Sequence, residues 1–157
     1  MSRIDGVRTK GGLRVAARLS GKKTAMMDAR GRMSFPAQFL AKLGSSLYLT
    51  PDTEGLGYLL VNSEDGYNEF CDDLKEKFQG NRLKQILRHC CSATVCLEPD
   101  KLGRITIPED LCQHAGLSGK VAIIGIGDYA EIWDEERFLA DDAEKSESTN
   151  ALMAEVM

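Results

Sequence analysis

No stretch of this chain approaches the roughly 18 consecutive apolar residues that a membrane-spanning helix requires, which excludes such a span. Residues 1–20 alternate basic and small side chains and lack the apolar centre of a secretory signal. None of the five cysteines forms a CxxC pair, which argues against a structural zinc site. With no signal segment, and with Cys90 and Cys91 adjacent, these residues are expected to be reduced thiols in a cytoplasmic protein. Excess charge is also missing: a formal net charge of −4 does not suggest a polyanionic partner. What is present is ordinary for a soluble globular protein, 43% apolar and 28% charged residues in 157. That length fits one domain or two very small ones.

The net charge conceals an asymmetry. Residues 1–32 hold nine of the twenty basic residues and only Asp5 and Asp28 as acids, a net of +7. The remainder carries −11. A basic end on an acidic body is what a polyanion-binding protein shows, and equally what a solubilising flexible arm shows; charge alone does not separate them.

An internal repeat organises the rest. A shift of 72 residues aligns Thr24–Gly44 with Cys96–Gly116 without a gap. Asp28 then meets Asp100, Gly31 meets Gly103, Arg32 meets Arg104, Pro36 meets Pro108 and Gly44 meets Gly116. Two copies are too few for a solenoid, so the halves are expected to pack as an internal pseudo-dimer. The expected organisation is a flexible basic extension over 1–20, a first copy with its following helix over 21–80, a helix plus second copy over 81–140, and a frayed acidic tail over 141–157.

Each copy reads alike. An apolar stretch leads into an Asp-x-x-Gly-Arg turn, where Gly31 and Gly103 supply the positive φ of a tight hairpin. Met33-Ser34-Phe35 and Ile105-Thr106-Ile107 alternate as half-buried strands. Pro36 and Pro108 open short helices that Gly44 and Gly116 close. Further strands are predicted at 47–50, 58–61, 121–124 and 130–133. Ser63 is placed to cap a helix bearing Tyr67, Phe70, Cys71, Leu74 and Phe78, and Leu83, Ile86, Leu87 and Cys90 mark a second. Asp134 is placed to cap a helix from Glu135, with Glu135 and Glu136 decorating its N-terminus.

The Asp-x-x-Gly-Arg turn supports two readings. As scaffold, Asp28 and Asp100 accept backbone N–H groups and Arg32 and Arg104 pair with carboxylates. As a reader of DNA, the rigid turn holds arginine outward to bond guanine O6 and N7, with Arg30 or Lys101 beside it. Lys22, Lys23 and Arg30 give the first copy a basic setting, whereas Glu98 stands near the second, so the first is expected to face the polyanion. The runs His89-Cys90-Cys91 and Cys112-Gln113-His114 are read as core packing rather than a nucleophile–base pair or metal ligands, because Cys71 and Cys90 fall on apolar helix faces and Cys96 lies in a strand, with His114 a helix-end imidazole. The piece Ile124-Gly-Ile-Gly127 lacks the third glycine and the helix of a dinucleotide loop and is read as a turn.

The segments Asp28-Ala-Arg-Gly-Arg-Met-Ser-Phe-Pro36 and Asp100-Lys-Leu-Gly-Arg-Ile-Thr-Ile-Pro108 resemble the paired signature of the MraZ family of bacterial transcriptional regulators. So do Gln113-His-Ala-Gly-Leu117, Val121-Ala-Ile-Ile-Gly125 and Glu131-Ile-Trp-Asp134. The resemblance covers residues 22–140. It implies an α+β fold in which a duplicated AbrB-like swapped-hairpin β-barrel forms within one chain, with flanking helices. It further implies ring-shaped homo-oligomers, commonly octamers, on repeated promoter sites in double-stranded DNA of the division and cell-wall gene cluster, and a nucleoid association. Arg32, with Arg30 beside it, is the residue it implies touches DNA; no enzymatic activity, cofactor, metal or small-molecule substrate goes with it. The alternative is an AbrB-like module that binds a protein partner, as antitoxins of related fold do. The basic segment preceding the first strand, with Gly11-Gly12, departs from the family pattern.

Overall fold

The structure, a computed structural model, describes residues 18–157. It is a mixed α+β fold of eight strands and five helices among the described residues. The first copy runs β1 (Lys22–Met27), β2 (Arg32–Ser34), α1 (Ala37–Leu43), β3 (Leu47–Pro51), β4 (Leu59–Asn62) and α2 (Glu64–Lys77). After α3 (Gly80–Ala93), the second runs β5 (Val95–Leu97), β6 (Arg104–Thr106), α4 (Glu109–Ala115), β7 (Gly119–Gly125), β8 (Ala130–Asp134) and α5 (Glu135–Ala154).

The copies exchange strands. β1 pairs antiparallel with β7, and its repeat counterpart β5 pairs antiparallel with β3. β4 joins β8 at the centre, giving the order β1-β7-β8-β4-β3-β5. Exchanging every strand for its repeat counterpart returns the same order reversed, so the duplication is a pseudo-two-fold of the sheet. β2 and β6 form a separate two-stranded ribbon about the Met33–Ile105 pair. The ladder is open: β1 and β5 end it, and it does not close into the barrel that the family resemblance implies.

Alternation of side chains along the strands explains the layering. Leu47, Leu49, Leu59, Val61, Val121, Ile123 and Ile132 have no or almost no exposed surface and form one core with Met33, Ile105 and the inner faces of α1 and α4. Burying each such aliphatic side chain contributes about 1.5–3 kcal/mol. On the opposite face Trp133 stacks on Tyr58 at 4.8 Å and meets Phe138 of α5 edge-on at 5.5 Å.

Local signals placed most element ends. The Ser63 hydroxyl accepts the Gly66 N–H at 3.0 Å, and the Asp134 carboxylate accepts the Arg137 N–H at 3.1 Å. Pro36 and Pro108 are the caps just before α1 and α4, not their first residues. Three expectations need correction. Residues 141–154 continue α5 instead of fraying, with a Lys145–Asp141 pair at 2.6 Å one turn apart. Residues 18–20 already belong to the fold, because Leu19 is buried and exchanges backbone hydrogen bonds with Gly127; the remainder of the basic extension lies outside the described residues. Cys91 and Cys96 are exposed, although Cys90 is buried.

The loop after β3 is tightly held. Asp52, whose side chain has no exposed surface, accepts backbone N–H groups from Glu54, Leu56, Gly57 and Tyr58 and a bond from His114 Nε2 at 2.7 Å. Burial alone raises the Asp52 pKa; the His114 bond and the Tyr58 and Leu56 N–H bonds outweigh it and hold the carboxyl below its ordinary value. His114 is therefore a loop anchor as well as a helix-end residue.

Candidate nucleic-acid interface

Both Asp-x-x-Gly-Arg turns carry the same bond set. Asp28 Oδ1 accepts the N–H groups of Arg30 and Arg32, each at 2.9 Å, and Oδ2 accepts Arg32 Nε at 2.8 Å. Asp100 Oδ1 accepts those of Leu102 and Arg104 at 2.9 Å, and Oδ2 accepts Arg104 Nε at 2.9 Å. The Arg32 bonds, with the Arg30 N–H, hold the Asp28 pKa down at about 2. The Arg104 backbone and side-chain bonds lower that of Asp100.

The two readings of the turn are thus compatible. Each carboxylate grips its arginine through Nε, and among the described residues neither arginine's Nη groups have a partner. The outer edge of each guanidinium, the edge that forms bidentate bonds to guanine, is left to solvent. The arginine side chains are 55% and 52% exposed.

The tips are locked to each other. The Phe35 N–H donates to the Gly103 carbonyl at 2.8 Å, and the Ile107 N–H donates to the Gly31 carbonyl at 2.9 Å. Gly31 has φ +84°, and a Cβ there would stand 2.6 Å from the Ile107 carbonyl oxygen. Glycine at this position therefore serves both the turn and the close approach of the other copy.

In the ribbon, Arg32 pairs with Thr106 and Ser34 with Arg104. These four side chains share the exposed face, while Met33 and Ile105 fill the buried one. Arg32 and Arg104 are diagonal neighbours, about 7–8 Å apart at the backbone. They line one groove of about 330 Å³ together with Leu97, Glu98, Asp100 and Thr106.

This changes the sequence expectation. Glu98 and Asp100 border Arg32 as well as Arg104, so the copies do not have separate electrostatic settings. Each tip carries one carboxylate and two exposed cations: Arg30 and Arg32 on the first, Lys101 and Arg104 on the second. Lys22 and Lys23, close to Arg32 in sequence, are carried by β1 to the far end from the tip, at about 3.4 Å per residue. Lys22 sits 5.9 Å from the centre of the Phe138 ring, and Lys23 lines a different groove with Ser34, Pro36 and Gln38. The sequence signal that would have joined the two arginines is the repeat itself, once strand exchange is known.

Comparison with known proteins finds matches to one family. A family model described as "MraZ protein, putative antitoxin-like" matches residues 91–155. The chain is 33% identical over 140 residues to the transcriptional regulator MraZ of Bifidobacterium longum, covering 88% of this chain and 92% of that protein. It is 35% identical over 129 residues to the transcriptional regulator MraZ of an Arthrobacter species, covering 82% and 89%. It is 32% identical over 118 residues to that of Lachnoclostridium phytofermentans, covering 75% and 82%. With identity at this level across nearly the whole of such relatives, the chain belongs to the MraZ family of transcriptional regulators.

Proposed function

We propose that the protein regulates transcription by sequence-specific binding of double-stranded DNA through the β2–β6 ribbon. The observation that carries this reading is the pair of Nε-anchored arginines on one exposed ribbon face. A two-stranded ribbon fits the major groove, and a fixed guanidinium with a free outer edge suits guanine. Arg32 and Arg104 read bases, Arg30 and Lys101 approach the flanking phosphates, and Lys22 and Lys23 contribute a more distant positive field. Asp28, Gly31, Asp100 and Gly103 brace the turns.

The exchanged strands and the palindromic order support an AbrB-like swapped-hairpin unit built within one chain. The open edges of β1 and β5 support assembly with further copies, and the family resemblance implies an octameric ring on repeated operator sites of the division and cell-wall cluster. In this reading the protein is cytoplasmic and nucleoid-associated. A second reading, an antitoxin-like partner-binding module, is favoured by one observation: α5 extends away from the sheet and exposes Leu152 and Met153, with Val156 and Met157 after it.

Gel shifts with DNA from upstream of the protein's own reading frame decide between these. Retardation that survives excess nonspecific competitor supports the DNA reading. Retardation abolished by that competitor removes sequence specificity, and no retardation at micromolar protein leaves the partner-binding module as the better account.

A further inference from the structure

The face of the sheet opposite the aliphatic core is acidic. In the ladder Leu60 stands opposite Glu131 and Glu131 opposite Ile124, so these three share that face with Trp133, two residues on from Glu131. The Glu131 carboxylate accepts the Trp133 Nε1–H at 2.9 Å, and Tyr58, stacked on Trp133, donates its hydroxyl to Glu54. α2 covers the β3 side of this face through Tyr67, which stacks on Tyr48 at 4.9 Å, and α5 covers the β7 and β8 side through Phe138. The cover is incomplete: Leu60, Ile124 and Glu131 are only half-buried, and Ile126 is exposed. α2 and α5 each hold six acidic and two basic residues, a net of −4 apiece. Both cations of α5 are already engaged, Arg137 by the Gly57 carbonyl and Lys145 by Asp141.

We propose that this acidic face is the docking surface of the chain's own basic segment, residues 1–17, which lie outside the described residues. The charges are complementary: residues 1–17 hold Arg3, Arg8, Lys10 and Arg14 against Asp5, a net of +3. Ile4, Val7, Leu13 and Val15 alternate with them and suit the half-buried aliphatic side chains of the sheet. The point of departure also fits. Leu19, buried in the core on the other face, exchanges backbone hydrogen bonds with Gly127. Its neighbour Arg18 therefore stands on the acidic face, where it pairs with Asp128 at 2.7 Å. β4 pairs Val61 with Ala130, and Ser63 caps α2 two residues later, so Glu64 and Asp65 of its first turn lie at the same end of the sheet as Gly127. The arginine tips lie at the other end of β1. Reach is ample: 17 extended residues span up to about 60 Å, whereas the 20 residues of α5 span about 30 Å. Surface ion pairs are individually weak, and the covalent tether supplies the effective concentration at which several act together.

The test uses the full chain and a carbodiimide, which joins an ammonium to a carboxylate in contact with it, with loss of water and no spacer. Lys10 is the one lysine among residues 1–17. Proteolysis and mass spectrometry are expected to find Lys10 joined to Glu131 or to acids of α2 or α5, in a product that keeps the denatured mass of one chain less one water per link. Arg3→Ser, Arg8→Ser and Arg14→Ser combined keep Lys10 and the tether but remove the charge. The yield of these links is expected to fall roughly fivefold or more in that variant, and likewise for the natural chain in high salt. A yield that neither the substitutions nor salt reduces overturns the proposal, because the tether alone then accounts for the contact. A main product of twice the chain mass overturns it, as does Lys10 joined chiefly to the tip acids Glu98 and Asp100, or to no acid. The salt comparison on the natural chain stands whether or not the variant folds.

Discussion

At the scale of single residues, the arginine turns join rigidity to an open recognition edge. Arg32→Ala and Arg104→Ala each remove one guanidinium from the same groove, and a lost bidentate guanine contact costs about 1–3 kcal/mol. Both substitutions are therefore expected to weaken cognate DNA binding tenfold or more in gel shifts while scrambled DNA is affected less; a cognate affinity unchanged in both would remove the ribbon as reader. Gly31 tests the interlock. Gly31→Ala must strain a positive φ and displace the Ile107 carbonyl, a loss on the order of 3 kcal/mol. Gly119→Ala, at φ +75° with open space around it, should lose about 1 kcal/mol. Urea unfolding of the two variants compares them directly. Asp28 sets an acid limit. Its folded pKa of about 2 lies below the ordinary 3.8, so its contribution is fully present above 3.8 and fades as pH falls towards 2. Carboxyl NMR titration should place its midpoint near the lower value, and Asp28→Asn should flatten this part of the acid-stability profile.

At the scale of elements, the signals that were legible in sequence are those made by neighbours along the chain. Ser63 and Asp134 announce their helices because a cap needs only the next three residues. Gly44 and Gly116 mark the ends of α1 and α4 in the same way. Strand exchange was not legible as a pairing in the residues themselves: β1 and β5 have the same pattern whichever partner they take, the repeat suggested only a pseudo-dimer, and swapped hairpins followed from the family resemblance alone. For that reason the sequence separated Arg32 from Arg104 by the acids near each, whereas the ribbon places the two diagonally on one face. The Asp52–His114 bond escaped notice because it joins residues far apart in sequence through a buried carboxylate. The length of α5 escaped because residues 142–154 bury no stripe that a helical period would reveal; their exposed alanine, glutamate, leucine and methionine favour the helix by propensity alone. A chain ending at Lys145 should therefore keep its folding stability within about 0.5 kcal/mol, measured by thermal or urea unfolding. A larger loss would mean that the outer half of α5 packs against another copy.

At the scale of the whole molecule, one ribbon presents few contacts, and binding to spaced repeats gains from several ribbons held at high effective concentration. Light scattering at micromolar protein is expected to show an assembly larger than a dimer; a mass of one 17.3 kDa chain would refute it. The pseudo-two-fold has a consequence for what such an assembly can distinguish. A homodimer of half-length chains carries every substitution twice, so its reading surface is symmetric by construction and its matching site is an inverted repeat. Here both hairpins are encoded once each, in one chain, and each changes alone. Arg30 stands where the second tip has the exposed Leu102, and Lys101 stands where the first has Ala29. The surface therefore has a left and a right, and in the proposed DNA reading an element fitted to it has a direction, which suits repeats arranged head to tail along a promoter.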